Sequence, residues 1–358
     1  MIFYLGLIAV LLISSFIVNM SVKGSSEKKN KIILALNIFL LWVICALKKD
    51  TVGVDIEGYK RVYEESASWP WFAFYKVYYE EGYTLLMQLF SKPGLPFQVF
   101  NAFVYAVIYI PWYFFLKKYS RQPTLSLLIY YCYQFFVFNM SGLRQGIAMS
   151  LCLLAYMVLR RNTKRSIIQF LLIVFAAVMI HRSALVFLVV LGIRFIKPGM
   201  LTIILFSMAC VSVIVFRAPL IGFLNTLSRT YQISEAMTLG GSFFMLSCFT
   251  IFSVVIDYFV RRMAKEKRVE TSIDFAPTYM MMWAVVLNLA FNGAAFLRAA
   301  TYTSCFLTIA LPESLAYCDK KSRFIISMMF GVFLIALFIT DVLVPNQLEI
   351  IPYCFFWD

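Results

Sequence analysis

Charge is what this sequence has little of. Only 14% of its 358 residues are Asp, Glu, Lys or Arg, 62% are hydrophobic, and the mean hydropathy is +0.83. An ordinary soluble domain carries roughly 25% charged and 45–50% apolar residues, so a soluble protein is excluded. Nucleotide and metal signatures are missing as well: the chain has no P-loop, no G-x-G-x-x-G, no H-E-x-x-H and a single histidine. The eight cysteines (45, 132, 152, 210, 248, 305, 318 and 354) are scattered, mostly within apolar runs and without a C-x-x-C, so neither a disulfide framework nor zinc is predicted. No cofactor is expected. No repeat of 20–50 residues is visible, which weakens a transporter built from inverted halves.

Long apolar runs are what the chain has in abundance. Crossing the hydrocarbon core takes about 20 residues, and runs near that length lie at 2–20, 31–47, 97–116, 123–139, 145–159, 166–181, 183–196, 200–216, 243–260, 275–291, 295–317 and 323–344. The expected architecture is all-α: one polytopic domain over 1–358 with about twelve membrane helices. The segment 83–92 is too short to cross and is a candidate re-entrant helix. The first run has no basic residue before it and no small-residue cleavage site after it, so it is expected to stay as a span rather than serve as a signal peptide.

Where the 32 basic residues fall gives the orientation. Twenty-one of them lie in alternate connections, around 23–31, 117–121, 160–165, 194–197, 261–268 and 320–323, and eleven in the others. Cytoplasmic connections carry the Lys/Arg excess, which puts the first set inside and both termini outside. Seven acidic residues lie on or near that inner side, so it carries the entire net charge of +14 and the outer side balances to zero. A nucleic-acid partner is therefore not predicted from the net charge. Inner connections are too short for a folded cytosolic domain, whereas the long loops, 49–82 and 217–242, and a tail at 345–358 lie outside. Function is expected on the outer face.

Several outer residues are chemically pointed. Asp55 is placed to cap a helix on which Tyr59 and Tyr63 follow at i+4 and i+8; its carboxylate is either that cap or a general base. Asp55-x-Glu57 is too weak a pattern to predict a cation site. Trp69, Trp71, Tyr75, Tyr78, Tyr79 and Tyr83 form an aromatic loop that suits either a membrane-interface belt or stacking of sugar rings. Arg144 follows Ser141, a plausible cap, so a guanidinium and a positive helix end converge at a site fit for phosphate, unless Arg144 simply snorkels. His181-Arg182-Ser183 forms a tight outer turn; its imidazole suits proton transfer and Arg182 offers a second anion contact, or the turn is structural. Arg298 lies inside an apolar run, where a guanidinium requires either an acidic partner or an anionic ligand. Lys48, Lys49, Arg217 and Arg229 read as solvated or headgroup-facing.

The order of short motifs then becomes recognisable: V-G-x-D-x-x-x-Y at 52–59, E-E-G-Y at 80–83, S-G-L-R-Q-G-I-A at 141–148, H-R-S-A-L at 181–185, R-x-x-x-Y at 298–302 followed by Pro312, and a terminal I-P-Y-C-F-F. Together they resemble the EpsG/Wzy-type polysaccharide polymerases over nearly the whole chain, proteins similar to the C-type membrane glycosyltransferases. The resemblance implies an enzyme of the bacterial cytoplasmic (inner) membrane, a glycosyltransferase acting in O-antigen, capsule or exopolysaccharide synthesis. Such an enzyme polymerises repeat units carried on undecaprenyl diphosphate, with a lipid-linked donor and acceptor and a possible chain-length-regulating partner. The motif positions matched are Asp55, Tyr59, Arg144, Gln145, His181, Ser183, Arg298 and Tyr302. In this reading Asp55 or His181 is the base, Arg144 and Arg298 face the diphosphate, and Tyr59, Gln145, Ser183 and Tyr302 bind substrate; Arg182 fills the variable position of the H-x-S motif and takes no role from the resemblance, so its diphosphate contact rests only on its place beside His181. An O-antigen-ligase-like transferase and a flippase of lipid-linked oligosaccharide are the alternatives; a membrane O-acyltransferase would rely on inner-side polar residues that the chain offers sparsely.

Overall fold

The computed structural model describes residues 1–76, 79–133, 135–193, 195–196, 200–216, 218–219, 241–266, 275–290 and 294–358. Two units are present, Met1–Leu185 with Phe330–Asp358, and Val186–Met329. Every named element is a helix; among the described residues the only extended pairing is an isolated bridge between Lys48 and Phe355.

The first unit runs α1 (Ile2–Ser21), α2 (Ser26–Leu47), α3 (Ile56–Ser66), a 3-10 turn (Phe74–Lys76), α4 (Glu81–Ser91), α5 (Phe97–Tyr119), α6 (Pro123–Cys132), α7 (Phe135–Ser141), α8 (Leu143–Leu159) and α9 (Lys164–Ile180). Among the described residues four helical stretches are long and apolar enough to cross a membrane: Ile2–Ser21, Ser26–Leu47, Phe97–Tyr119 and Lys320–Leu343, of 20, 22, 23 and 24 residues. At 1.5 Å per residue they reach roughly 30–36 Å, the thickness of the hydrocarbon core. Shorter apolar helices accompany them, and the chain is a multi-pass membrane protein. Ser25 caps α2 by accepting from the Lys28 N–H, and Thr163 and Ser166 cap α9 reciprocally. Trp42 donates to the Ala102 carbonyl at 3.1 Å and Ser150 to that of Ile108 at 3.0 Å, tying α2 and α8 to α5.

Three expected spans differ from the structure. The run 123–139 is two helices, broken after Cys132. Rings stack across the break, Tyr131 on Phe136 at 4.6 Å, and both halves are almost wholly buried; irregular backbone at membrane depth is tolerated where protein covers it. The run 183–196 is a 3-10 helix (Arg182–Val189) followed by α10 (Val190–Ile193), about 22 Å in all by the rise of each form and short of a full crossing. The run 295–317 breaks at Cys305–Phe306, where Thr303, Ser304 and Thr308 turn their hydroxyls back on the carbonyls of Ala300 and Cys305 and Pro312 follows. Loop 49–82 contains α3, and the 83–92 segment is α4, eleven residues packed on α3, α5 and α9. The loop expected at 217–242 lies almost wholly outside the described residues.

The tail fastens the beginning of loop 49–82. The Lys49 N–H donates to the Cys354 carbonyl at 2.9 Å, Gly53 and Val54 donate to Glu349 and Leu348 at 3.0 Å, and Phe356 donates to Leu47 at 2.9 Å. Tyr4 donates to the Ile350 carbonyl at 2.7 Å and Tyr131 to the Tyr4 carbonyl at 3.0 Å. Lys48 is not solvated as expected: it is fully buried under the tail, its ammonium reaching the Val52 carbonyl, and burial pushes its pKa down to about 7.

The second unit holds α11 (Met200–Val215), α12 (Gly241–Glu266), α13 (Ala276–Ala290), α14 (Ala294–Ser304), α15 (Leu307–Ala316) and the first half of α16 (Lys320–Phe338). Arg261, expected in an inner connection, is instead a buried residue of α12. It donates through Nε to Asp257 at 2.7 Å and through Nη2 to Glu313 at 2.8 Å, and the Thr278 and Ser314 hydroxyls also donate to Asp257. The node binds α12, α13 and α15 together, and its mutual pairing is what makes two fully buried charges tolerable there.

Candidate active site

The site assembles where α3, α4, α8 and α9 meet at one end of the first unit. Two glycines set the approach. A Cβ on Gly82 would lie 2.8 Å from the Met179 carbonyl, so only glycine lets the start of α4 reach the end of α9. Gly53, at φ +109, would place a Cβ 2.9 Å from the Met140 carbonyl, so α3 also enters through a position closed to other residues. The Asp55 N–H then donates to the Ser141 hydroxyl at 3.3 Å.

Glu80, at the N-cap of α4, is the hub. Its side chain is 8% exposed. Oε2 accepts from Arg144 Nη1 at 2.5 Å; Oε1 accepts from the Arg182 backbone N–H at 3.1 Å and faces His181 Nδ1 at 2.9 Å. Burial alone would push the carboxyl pKa up. The His181 hydrogen bond, the Arg144 charge and the Arg182 amide outweigh it and hold the group down to about 2. Glu80 is thus an ionised acceptor at neutral pH. A carboxylate cannot donate, so Nδ1 carries the proton in this contact, and in the neutral ring Nε2 keeps the lone pair.

Arg144 is fixed on three sides. Besides Glu80, its Nε donates to the Tyr59 hydroxyl at 3.4 Å, and its guanidinium lies 4.3 Å from the centre of the Tyr79 ring. Tyr83 packs edge to face on Tyr59 and Tyr79 at 5.6 and 5.8 Å, Tyr59 lies tilted on Tyr79 at 5.4 Å, and burial pushes the Tyr79 phenol up to about 12, so it stays protonated.

Of the residues singled out in the sequence, Arg144 and His181 come together on Glu80, and Tyr59 joins them through Arg144. Gln145 is buried beside Arg144 at the start of α8, and Ser183 follows in the turn after His181. Two expected caps are absent. Asp55 occupies the N-cap position of α3 without a side-chain cap, because the α3 entry is held instead by the Ser141 hydroxyl and the Gly53 turn. Ser141 does not cap α8; its N-cap is Gly142, and Ser141 is spent on Asp55. Arg182 joins through its backbone, while its side chain is 78% exposed and 3.8 Å from Glu81, an ion pair worth little. Tyr302 and Arg298 belong to the second unit, Tyr302 fully buried and Arg298 on α14, with its side chain outside the described residues.

Glu80 is the candidate site residue that reading for single charges missed. Its signal lay in E-E-G-Y, where a glycine two residues after the acid marks a close backbone approach. Among the described residues no group of three or more His, Cys, Asp or Glu stands close enough to hold a metal ion. A family model described as the EpsG family matches residues 31–355. No curated protein and no solved structure matches the chain.

Proposed function

The chain belongs to the EpsG family, of the exopolysaccharide and O-antigen polymerase type, and from that premise we propose that it polymerises oligosaccharide repeat units carried on undecaprenyl diphosphate. The reaction takes place on the outer face of the bacterial cytoplasmic membrane, by glycosyl transfer from a lipid-linked donor to a lipid-linked acceptor. The observation that carries this reading is the His181–Glu80–Arg144 constellation, an oriented base beside a fixed cation.

In the proposed step, Nε2 of His181 takes the proton of an acceptor sugar hydroxyl as its oxygen attacks the anomeric carbon of the donor. The bond from that carbon to the phosphate oxygen breaks, and the electron pair leaves on the lipid diphosphate. Glu80 holds the Nδ1–H tautomer and stabilises the imidazolium that forms, as a buried carboxylate does for a catalytic histidine. The face of Arg144 turned from Glu80, beside the positive end of α8, meets the charge developing on the leaving group. Since Glu80 already matches one unit of its charge, Arg144 acts as a preorganised donor more than as an unbalanced cation. This geometry favours His181 over Asp55 as the base, because Asp55 has no comparable orienting partner among the described residues.

The Asp257–Arg261–Glu313 node is the one observation that favours a flippase, since buried ionisable groups mark polar paths through membranes. Its charges are satisfied by each other and by hydroxyls, which suits a helix tie better. Purified protein given lipid-linked repeat units should produce a ladder of lengthening glycans. No elongation with a cognate substrate, together with substrate flipping in liposomes, would replace the polymerase by the transporter.

A further inference from the structure

The aromatic turn before the site has a construction that the proposed chemistry does not use. Trp69-Pro70-Trp71-Phe72 reverses direction just ahead of the 3-10 turn at Phe74–Lys76, and three rings stand out from it: Trp71 is 49% exposed, Phe72 63% and Tyr75 82%. Phe72 adopts φ +62, a left-handed conformation that bulky side chains avoid. The turn is held there by α4. Gln88, itself fully buried, donates through Nε2 to the Pro70 carbonyl at 3.0 Å and accepts the Phe72 N–H at 3.3 Å. One helical turn on, Lys92 donates to the Trp69 carbonyl and lies 4.9 Å from the centre of the Trp71 ring.

Two part-buried polar contacts and a left-handed residue thus fix the backbone that carries the exposed rings, and Lys92 lies over the Trp71 ring itself. A ring that only anchors in a bilayer interface gains nothing from such clamping, since partitioning does not depend on the plane of the ring. Stacking on a flat ligand does, and ordering the ring beforehand removes an entropy loss on binding. The clamp also has a set distance from the chemistry. Gln88 and Glu80 are eight residues apart on the same helix and its cap, about 12 Å along the axis, so α4 links the turn rigidly to the carboxylate that orients His181.

From this geometry we propose that Trp71, Phe72 and Tyr75 form an accessory glycan subsite, taking pyranose rings of the saccharide by stacking a short way along the chain from the reacting sugar. The proposal rests on the polymerase reading for its substrate class. Its occupant is a saccharide, not a lipid headgroup.

The test uses the full-length, detergent-solubilised protein and oligosaccharides of one to four repeats cut from the host's own extracellular polysaccharide, titrated by calorimetry. Trp71→Ala should weaken binding of the longer fragments roughly tenfold, Tyr75→Ala by less, and Trp71→Phe should retain most of the affinity. Because Tyr75 is almost fully exposed, its substitution leaves folding intact and keeps the test open should Trp71→Ala fail to fold. With lipid-linked repeat units, Trp71→Ala should shorten the product ladder, and Trp71→Phe should restore most of its length. Unchanged glycan affinity in both alanine variants overturns the subsite, as does a loss confined to binding of lipid vesicles, which would make the turn a bilayer anchor. Glycan binding that depends on Trp71 in a protein unable to elongate would leave the subsite standing and remove the polymerase.

Discussion

Glu80 determines the state of its neighbours because it is the acceptor they share. Removing it leaves Arg144 partly buried without its closest counter-charge and leaves the His181 ring free to turn or change tautomer. Glu80→Ala should lower elongation by roughly 100-fold or more, in the range of lost general-base catalysis, with His181→Ala at least as damaging. Asp55→Asn should stay within a few-fold of wild type; a loss in Asp55→Asn as large as that in His181→Ala would move the base to Asp55. Acid should act on the same carboxyl. Its pKa is depressed from 4.5 to about 2, so the stability it contributes is complete above about pH 4.5 and disappears as pH falls through 2. The thermal midpoint of wild type in detergent should drop across that window more steeply than that of Glu80→Gln, which has no such group to titrate. In the second unit, Arg261→Ala strands Asp257 in a fully buried position. It should cost about 3–5 kcal/mol in detergent unfolding, while Arg261→Met combined with Asp257→Leu and Glu313→Gln should recover much of it. Equal destabilisation of the single and triple variants would show that the node contributes more than mutual neutralisation.

Among the elements, α4 carries the most consequence for its length. Eleven residues bring Glu80 to His181 at one end and Gln88 to the aromatic turn further along. Its contact with α9 is as close as backbone permits, so Gly82→Ala should destabilise the protein by about 1–3 kcal/mol and depress elongation by drawing Glu80 away from His181. Gly6→Ala, where the added methyl meets nothing within 4 Å, is the matched control and should be silent in both assays. Of these elements the long ones were legible in the sequence. The spans at α1, α2 and α5 announce themselves as long, uncharged, mostly apolar runs closed by Lys or Ser. The broken helices at Cys132 and Cys305 do not, since a run stays apolar whether or not its backbone remains helical, and stacking partners such as Tyr131 and Phe136 are decided by packing. The site was legible in part for a similar reason. Arg144 and His181 stood out as lone polar residues at span ends. Glu80 read as one of two acids in a tyrosine-rich loop, and its importance depends on partners 64 and 101 residues away.

At the scale of the molecule, the basic residues that fixed the expected orientation can be tested directly. In a Cys354→Ser background, cysteines placed at Glu65 and Asp358 should react with a membrane-impermeant thiol reagent on intact cells, and cysteines at Lys28 and Lys164 only after permeabilisation; the opposite pattern would turn the protein over and move the site to the cytoplasm. Arg298→Ala, by the motif it belongs to, should abolish polymerisation with normal membrane insertion, and a poorly inserted variant would give Arg298 a structural role.

The tail that fastens loop 49–82 also has a meaning in time. Tyr353 donates to the carbonyl of Ile44, a residue made 309 positions earlier, and the backbone of Lys49, Gly53 and Val54 waits for Cys354, Glu349 and Leu348. At about 5–20 residues per second of synthesis, that wait is on the order of 15–60 s. Throughout it, the segment leading into Asp55 and Tyr59 is already made and lacks its partners. A nascent chain can therefore insert most of its helices while the entry to α3 still waits for the partners that hold it.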